Sequence, residues 1–259
     1  MPVAATTAAL PATAQTTGAG GGGKTYVLLH GAWHGGWCWA KVAEALRAGG
    51  HRVFTPTQTG LGERRHLLSR GITLDTFVLD VVNLIEAEEL RDAILVGHSF
   101  GGSGISGAAD RMPERVRHLV YLDSLILEGG QSPFSRLPDE VVATCRCQAL
   151  EQGEGVAIPP PPPTAFGIPE NHPDAAWVGR RLTPHPVGTY ENPLRLEKPV
   201  GNGRSCTYIA CTAPLYGPLE GARQWVRRQP GWTWGEIATG HDAMVTAPAE
   251  LARMLAEIG

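Results

Sequence analysis

A serine hydroxyl attacks carbon only if it stands clear of the backbone and a base can take its proton. Ser99 meets the first condition through its setting, Gly97-His98-Ser99-Phe100-Gly101, with the apolar run Ala93-Ile94-Leu95-Val96 directly before it. This is G-x-S-x-G between an expected strand and an expected helix, a turn sharp enough to push the hydroxyl out at the carboxyl edge of a sheet. Of the nine histidines, His241 best meets the second condition. It follows the expected strand Trp232 to Ala238 through Thr239-Gly240, on a loop that can reach back to the serine turn. It also comes after the nucleophile in the chain, the order such a sheet requires. His98 is expected to point away from the serine by strand alternation, and His30 to be a hydrogen-bonded turn residue. His34, His51, His66, His118, His172 and His185 stand in no comparable setting.

Attack on a carbonyl creates an oxyanion that preorganised donors must meet. One donor is the backbone N–H of Phe100, at the start of the helix after the serine. The other is expected from the loop after the first strand, His30-Gly31-Ala32-Trp33-His34-Gly35-Gly36-Trp37, where Ala32 is the candidate.

These residues need a sheet to hold them, and the apolar pattern supplies one. Tyr26 to Leu29, Arg52 to Phe54, Ala93 to Val96, Val116 to Leu122, Cys206 to Ala210 and Trp232 to Ala238 read as strands. Between them, helical spacing appears over 37–48, 73–89, 101–111, 218–228 and 247–258. Strand and helix in alternation imply parallel strands with right-handed crossovers and helices on both faces. The loop 55–72 reads as too polar for a core element. The rhythm breaks over 124–203, which holds the proline run Pro159 to Pro163 and eight further prolines. Proline lacks the donor a ladder needs, so this stretch is expected to be a partly helical insertion lying over the sheet edge as a lid. Helices are expected there over Pro138 to Glu151 and Asp174 to Leu182. Residues 1–23, rich in Ala, Thr, Pro and Gly, read as a disordered tail ahead of a single domain over 24–259.

Composition narrows the class further. A net charge of −3 over 259 residues gives no electrostatic reason to expect nucleic acid or an anionic membrane as partner. No apolar run approaches the roughly 20 residues a membrane-spanning helix needs. The five cysteines, Cys38, Cys145, Cys147, Cys206 and Cys211, form neither a disulfide framework nor a zinc pattern. They read as reduced, mostly packing residues, which predicts a cytoplasmic protein. Ala12-Thr13-Ala14 resembles a signal-peptidase site, but no basic or compact apolar region precedes it.

His30-Gly31-Ala32-Trp33-His34-Gly35-Gly36-Trp37, the turn Gly97 to Gly102 and the closing Gly240-His241-Asp242-Ala243-Met244 resemble the α/β-hydrolase superfamily. Within it, the branch of plant methyl salicylate esterases, hydroxynitrile lyases and their bacterial esterase relatives is the most similar. The resemblance runs over nearly all of 24–259 and is weakest in the lid. It implies a six-stranded, mainly parallel sheet, a mobile cap, and a Ser-His-acid triad that needs no cofactor and no metal. Ser99, His241, Ala32 and Phe100 fall on its motif positions. The acid does not: where the branch carries it, after the strand ending at Thr212, this chain has Ala213-Pro214. Asp123, at the end of the strand beside the nucleophile strand, is the expected replacement, since some α/β-hydrolases place the acid there. Glu220 suits a helix start, and Asp242 is badly placed to meet the far nitrogen of His241.

The expected reaction is hydrolysis of small carboxylic esters through an acyl-enzyme. Lactone or amide hydrolysis would use the same residues. A lyase of the branch needs a threonine and a lysine where this chain has Gly31 and Asp242, and a non-catalytic binding protein would not need an intact serine, base and oxyanion loop. Trp33, Phe134 and Trp177 are the expected substrate contacts, with Trp37, Phe100 and Phe166 on segments that could also face the pocket. A small ester is the expected partner, and a homodimer stays open.

Overall fold

The computed structural model describes residues 23–258; the tail expected over 1–23 therefore lies outside the described residues, save Gly23. Six strands form a parallel sheet: β1 (Thr25–Leu29), β2 (Arg52–Phe54), β3 (Ala93–His98), β4 (Val116–Leu122), β7 (Ser205–Cys211) and β8 (Trp232–Ile237). Their order is β2-β1-β3-β4-β7-β8, the expected α/β-hydrolase architecture. Two short strands, β5 (Ala157–Ile158) and β6 (His185–Pro186), pair antiparallel within the insertion.

Side chains alternate along each strand, and here the alternation feeds two cores. Val27, Leu29 and Leu95 face one core with α2 (Leu74–Ala87), α3 (Gly101–Arg111) and α7 (Glu220–Arg227). Tyr26, Leu28, Ile94 and Val96 face the other with α1 (Ala40–Ala48), α8 (Ala243–Thr246) and α9 (Pro248–Glu257). Strands buried on both faces explain why β3 reads as an unbroken apolar run.

The insertion between β4 and β7 carries α4 (Asp139–Gln152), α5 (Ala175–Gly179) and α6 (Gly188–Glu191). It shares the main cores: Phe134, Ile158 and Tyr190 join the first, Ile168 and Val178 the second. One expectation fails in part. The loop 55–72 contains a 3-10 helix over Gly62–Leu67 and the fully buried Leu61; Leu61 packs inward while the part-buried Arg64 donates to the Thr57 carbonyl and Asp80.

Parallel register brings the candidate residues to one edge. His98 pairs with Leu122 and Leu122 with Ile209, so Ser99 and Asp123 emerge side by side. The ladder continues one step beyond the strands: Ser99 N–H donates to the Leu122 carbonyl at 3.1 Å and Asp123 N–H to that of Ile209 at 2.7 Å.

Candidate active site

Ser99 sits at φ 52°, in the left-handed region that costs a residue with a Cβ about 1–3 kcal/mol. The turn is so tight that a Cβ on Gly97 would lie 2.8 Å from the Gly101 carbonyl and the Gly102 nitrogen. Trp33 and Asp123 also have positive φ, 63° and 37°. Backbone strain thus falls on the nucleophile turn, the oxyanion loop and the end of β4, where surrounding hydrogen bonds hold it.

Asp123 Oδ2 lies 2.7 Å from His241 Nδ1, the geometry of a carboxylate accepting the imidazole proton and fixing its tautomer. Both groups are buried. The other carboxylate oxygen accepts from Arg223 Nη1 at 3.1 Å. Arg223, only 4% exposed, is itself held by the Tyr216 carbonyl at 2.9 Å and by Glu220 Oε2 at 3.2 Å. Tyr216 also stacks on the His241 ring, 4.1 Å between centroids. Burial, and then the nearby Asp242 and Asp123 charges, push the Tyr216 hydroxyl up to about 12, so it stays neutral. Ala213-Pro214 bring no carboxylate to His241; the Ala213 amide instead continues the backbone pairing, donating to the Thr239 carbonyl at 3.0 Å.

The oxyanion loop is clamped by three histidines. His30 Nδ1 donates to the Gly31 carbonyl at 2.8 Å while its Nε2 accepts from the Gln58 amide at 3.0 Å. A trans peptide points its N–H opposite its carbonyl, so fixing the Gly31 carbonyl aims the Ala32 N–H the other way. Burial above all holds His30 neutral, with its pKa down to about 3. The next peptide is fixed at both ends: His34 Nδ1 donates to the Ala32 carbonyl at 2.8 Å, and Trp33 N–H donates to His185 Nδ1 at 3.2 Å. Neither the Ala32 nor the Phe100 N–H donates to a protein acceptor among the described residues.

His98 takes the side of the sheet expected from alternation. It lines the cleft, and its Nε2 donates to the His241 carbonyl at 3.0 Å. Alternation puts it on the α1/α9 face of the sheet, the face over which the base loop arrives. Asp242 accepts from His34 Nε2 at 3.0 Å, so it meets a histidine other than His241. His34, His185 and Arg223 were not singled out by sequence; their partners lie 208, 152 and 100 residues away.

Ser99, His241 and Ala32 open on one cleft enclosing about 800 Å³ of empty space, its mouth included. Trp33, Phe100, Phe166 and Tyr190 wall it, and Leu137, Val141 and Cys145 from the insertion close one side. Phe134 and Trp177, expected as substrate contacts, do not line it. Phe134 packs behind Tyr190 at 5.2 Å, and Trp177 stands edge-on to Trp37 at 5.0 Å in the opposite core.

The model of the alpha/beta hydrolase family matches residues 26–254. The chain belongs to that family. It is 42% identical over 242 residues to the carbendazim hydrolyzing esterase of Nocardioides sp. (strain SG-4G), covering 90% of this chain and 99% of the relative. It is 28% identical over 255 residues to methylesterase 10 of Arabidopsis thaliana, covering 90% of each. Among solved structures, an extracellular alpha/beta-hydrolase from a Paenibacillus species superposes with a TM-score of 0.76 at 25% identity, over 91% of this chain and 99% of that one. With esterase relatives along nearly its whole length, this α/β-hydrolase is a carboxylic ester hydrolase.

Proposed function

We propose that the protein hydrolyses small, neutral carboxylic esters with an apolar or aromatic group, through an acyl-enzyme on Ser99. The observation that carries this reading is the 2.7 Å contact of His241 Nδ1 with Asp123, which leaves Nε2 as the proton acceptor for the serine. Ser99 Oγ attacks the ester carbonyl as His241 takes its proton, and the Ala32 and Phe100 N–H groups receive the oxyanion. His241 then gives the proton to the departing alcohol. Water, deprotonated by the same histidine, releases the acid and restores Ser99. The insertion acts as the lid, supported by the seven residues it contributes to the cleft wall and by its bonds to Trp33. That indole donates to the Ile158 carbonyl at 3.0 Å, and the Trp33 carbonyl accepts from Thr183 N–H at 2.9 Å.

The preference for neutral esters follows from the lining: no Asp, Glu, Lys or Arg is among the residues that form it. A substrate carboxylate would lose its hydration there without gaining a free counter-ion, since His34 in the lining is already paired with Asp242. The Nocardioides relative, named as an esterase that hydrolyses carbendazim, supports hydrolysis of a small molecule as well. We further infer a cytoplasmic location, supported by five cysteines that are all free thiols.

A panel of aryl and alkyl esters, lactones and amides tests the reading, each ester paired with an analogue carrying a carboxylate. Neutral aryl esters are expected to turn over fastest and Ser99→Ala to abolish both turnover and labelling by a phosphonate ester. More than a tenth of wild-type activity in Ser99→Ala would overturn the nucleophile assignment, and preference for the charged analogues would overturn the substrate class.

A further inference from the structure

Of the strands behind the three loops that must cooperate, β1 and β3 are paired, but β8 touches neither. In the order β2-β1-β3-β4-β7-β8, the oxyanion loop follows β1 and the base loop follows β8, with β3, β4 and β7 between. No sheet ladder therefore sets the distance from the Ala32 N–H to His241. A buried chain of side chains does cross that gap. The Ala32 carbonyl accepts from His34 Nδ1, and His34 Nε2 donates to Asp242 Oδ2, the residue after His241. The His241 carbonyl in turn accepts from His98 Nε2, the residue before Ser99. Cys211 Sγ approaches that same carbonyl at 3.7 Å. The circuit runs from oxyanion donor to base to nucleophile, and His34, Asp242 and His98 are all at most 1% exposed.

We propose that Asp242 and His34 are positioning residues which tie the oxyanion loop to the base loop and so set the geometry of the oxyanion hole relative to His241. Both nitrogens of His34 face acceptors, so both carry protons and the ring is a cation paired with the Asp242 carboxylate. Burial works against that charge, but the attraction and hydrogen bond of Asp242, with the Ala32 carbonyl, overcome it and raise the His34 pKa. A neutral imidazole could hold one loop; the doubly protonated ring holds both. The geometry it guards is demanding, because oxyanion donors must lie within about 2.7–3.1 Å of the developing charge. A shift of about 1 Å there costs on the order of 100-fold in rate.

This inference rests on the proposed Ser99–His241 mechanism, and its test separates the two. Breaking one partner of a buried pair destabilises a protein, whereas replacing both with apolar residues is often neutral. The key variant is therefore the double substitution His34→Phe with Asp242→Leu, accompanied by His34→Ala, Asp242→Ala and Asp242→Asn. Active sites are first counted by phosphonate titration, so that kcat is expressed per competent Ser99. A wild type that takes up no phosphonate refutes the Ser99 reading and says so directly. The folded double variant is expected to lose 10- to 100-fold in kcat with KM within threefold, and the single alanine variants to lose no more than the double. Asp242→Asn, which keeps an acceptor for His34 but not the charge that holds its second proton, should fall between wild type and the double variant. A folded double variant with kcat within twofold of wild type overturns the proposal. So do single-variant losses that multiply in the double, or a tenfold rise in KM at unchanged kcat. Where an alanine variant does not fold, the double variant decides alone.

Discussion

His241 lies between two buried histidine–carboxylate pairs that look alike and are built differently. In the first, Asp123 is committed through both oxygens, to His241 at 2.7 Å and to Arg223 at 3.1 Å. In the second, Asp242 gives Oδ2 to His34, while Oδ1 makes no hydrogen bond and lies 3.8 Å from His98 Nε2. The first pair carries a permanent cation at its back and can leave its imidazole free to gain and lose a proton during turnover. The second has no arginine among the described residues, so His34 is the cation there that balances Asp242. An imidazole that must also carry a proton through catalysis cannot serve as the standing counter-ion of its carboxylate. In the proposed mechanism the guanidinium of Arg223 suits Asp123 to partner the working base, while Asp242, without one, suits a positioning role.

The sharpest way to break this contrast is to neutralise Asp123. Asp123→Asn should keep the fold but lower kcat by about 10³–10⁴, because an amide can face His241 Nδ1 with a donor and select the wrong tautomer. Glu220→Gln, which meets Arg223 through its Nε and Gln224 through its Nε2 but does not reach Asp123 or His241, retains an acceptor and should change kcat by less than about twofold. Steady-state kinetics on titrated enzyme decides both. A silent Asp123→Asn would leave His241 oriented by something other than its carboxylate and erase the difference between the pairs.

How much of this could be read from sequence depends on how far apart the partners are. Ser99 was legible because its turn is local: an apolar strand, two glycines and a small-residue helix state the geometry within about fifteen residues. His241 was legible from its place after the last strand, and Asp123 from the absence of a carboxylate at Ala213-Pro214. Arg223 was not, since an arginine on α7 beside Glu220 and Arg227 reads as part of a solvated face. Only the end of β4, 100 residues earlier, reveals that it points inward. His34 and Asp242 each have an obvious local setting, and their pairing across 208 residues is invisible without the sheet order. The aromatic residues fail for another reason. Phe134 and Trp177 have the same composition signal as Phe166, and periodicity does not separate a cleft wall from a packed core.

Arg223 offers the next largest effect, and it should appear in stability more than in rate. Arg223→Met leaves Asp123 Oδ1 buried without a partner, and breaking one side of a buried ion pair costs about 3–5 kcal/mol. The Asp123–His241 contact survives in the folded fraction, so kcat per titrated site should fall by only about tenfold. Urea unfolding alongside titrated kinetics separates the two. A variant as stable as wild type would mean that Arg223 is not the counter-ion that distinguishes the first pair.

The smallest expected effect is also the one that isolates the second pair, because it uses pH alone. Burial lowers the pKa of His30, His98 and His185 in the folded protein, with neighbouring histidine charges adding to the shift in His98 and His185. The unfolded chain therefore binds protons at these three positions as pH falls below about 6.5, and the native state does not. Stability should rise with pH across that acid window, by up to about 1.4 kcal/mol per pH unit for each such proton. His34 has the opposite sign. Its folded pKa is raised, so its contribution is complete below about 6.5 and is lost as pH climbs through the folded value. The two contributions therefore slope in opposite directions. In Asp242→Asn the carboxylate that raises His34 is gone, so the decline on the alkaline side should flatten while the acid slope stays. Urea unfolding of wild type and variant from pH 5 to 9 measures both limbs. Equal alkaline slopes would show that the proton on His34 is not held by Asp242, and the second pair would then be an ordinary hydrogen bond between neutral imidazole and carboxylate.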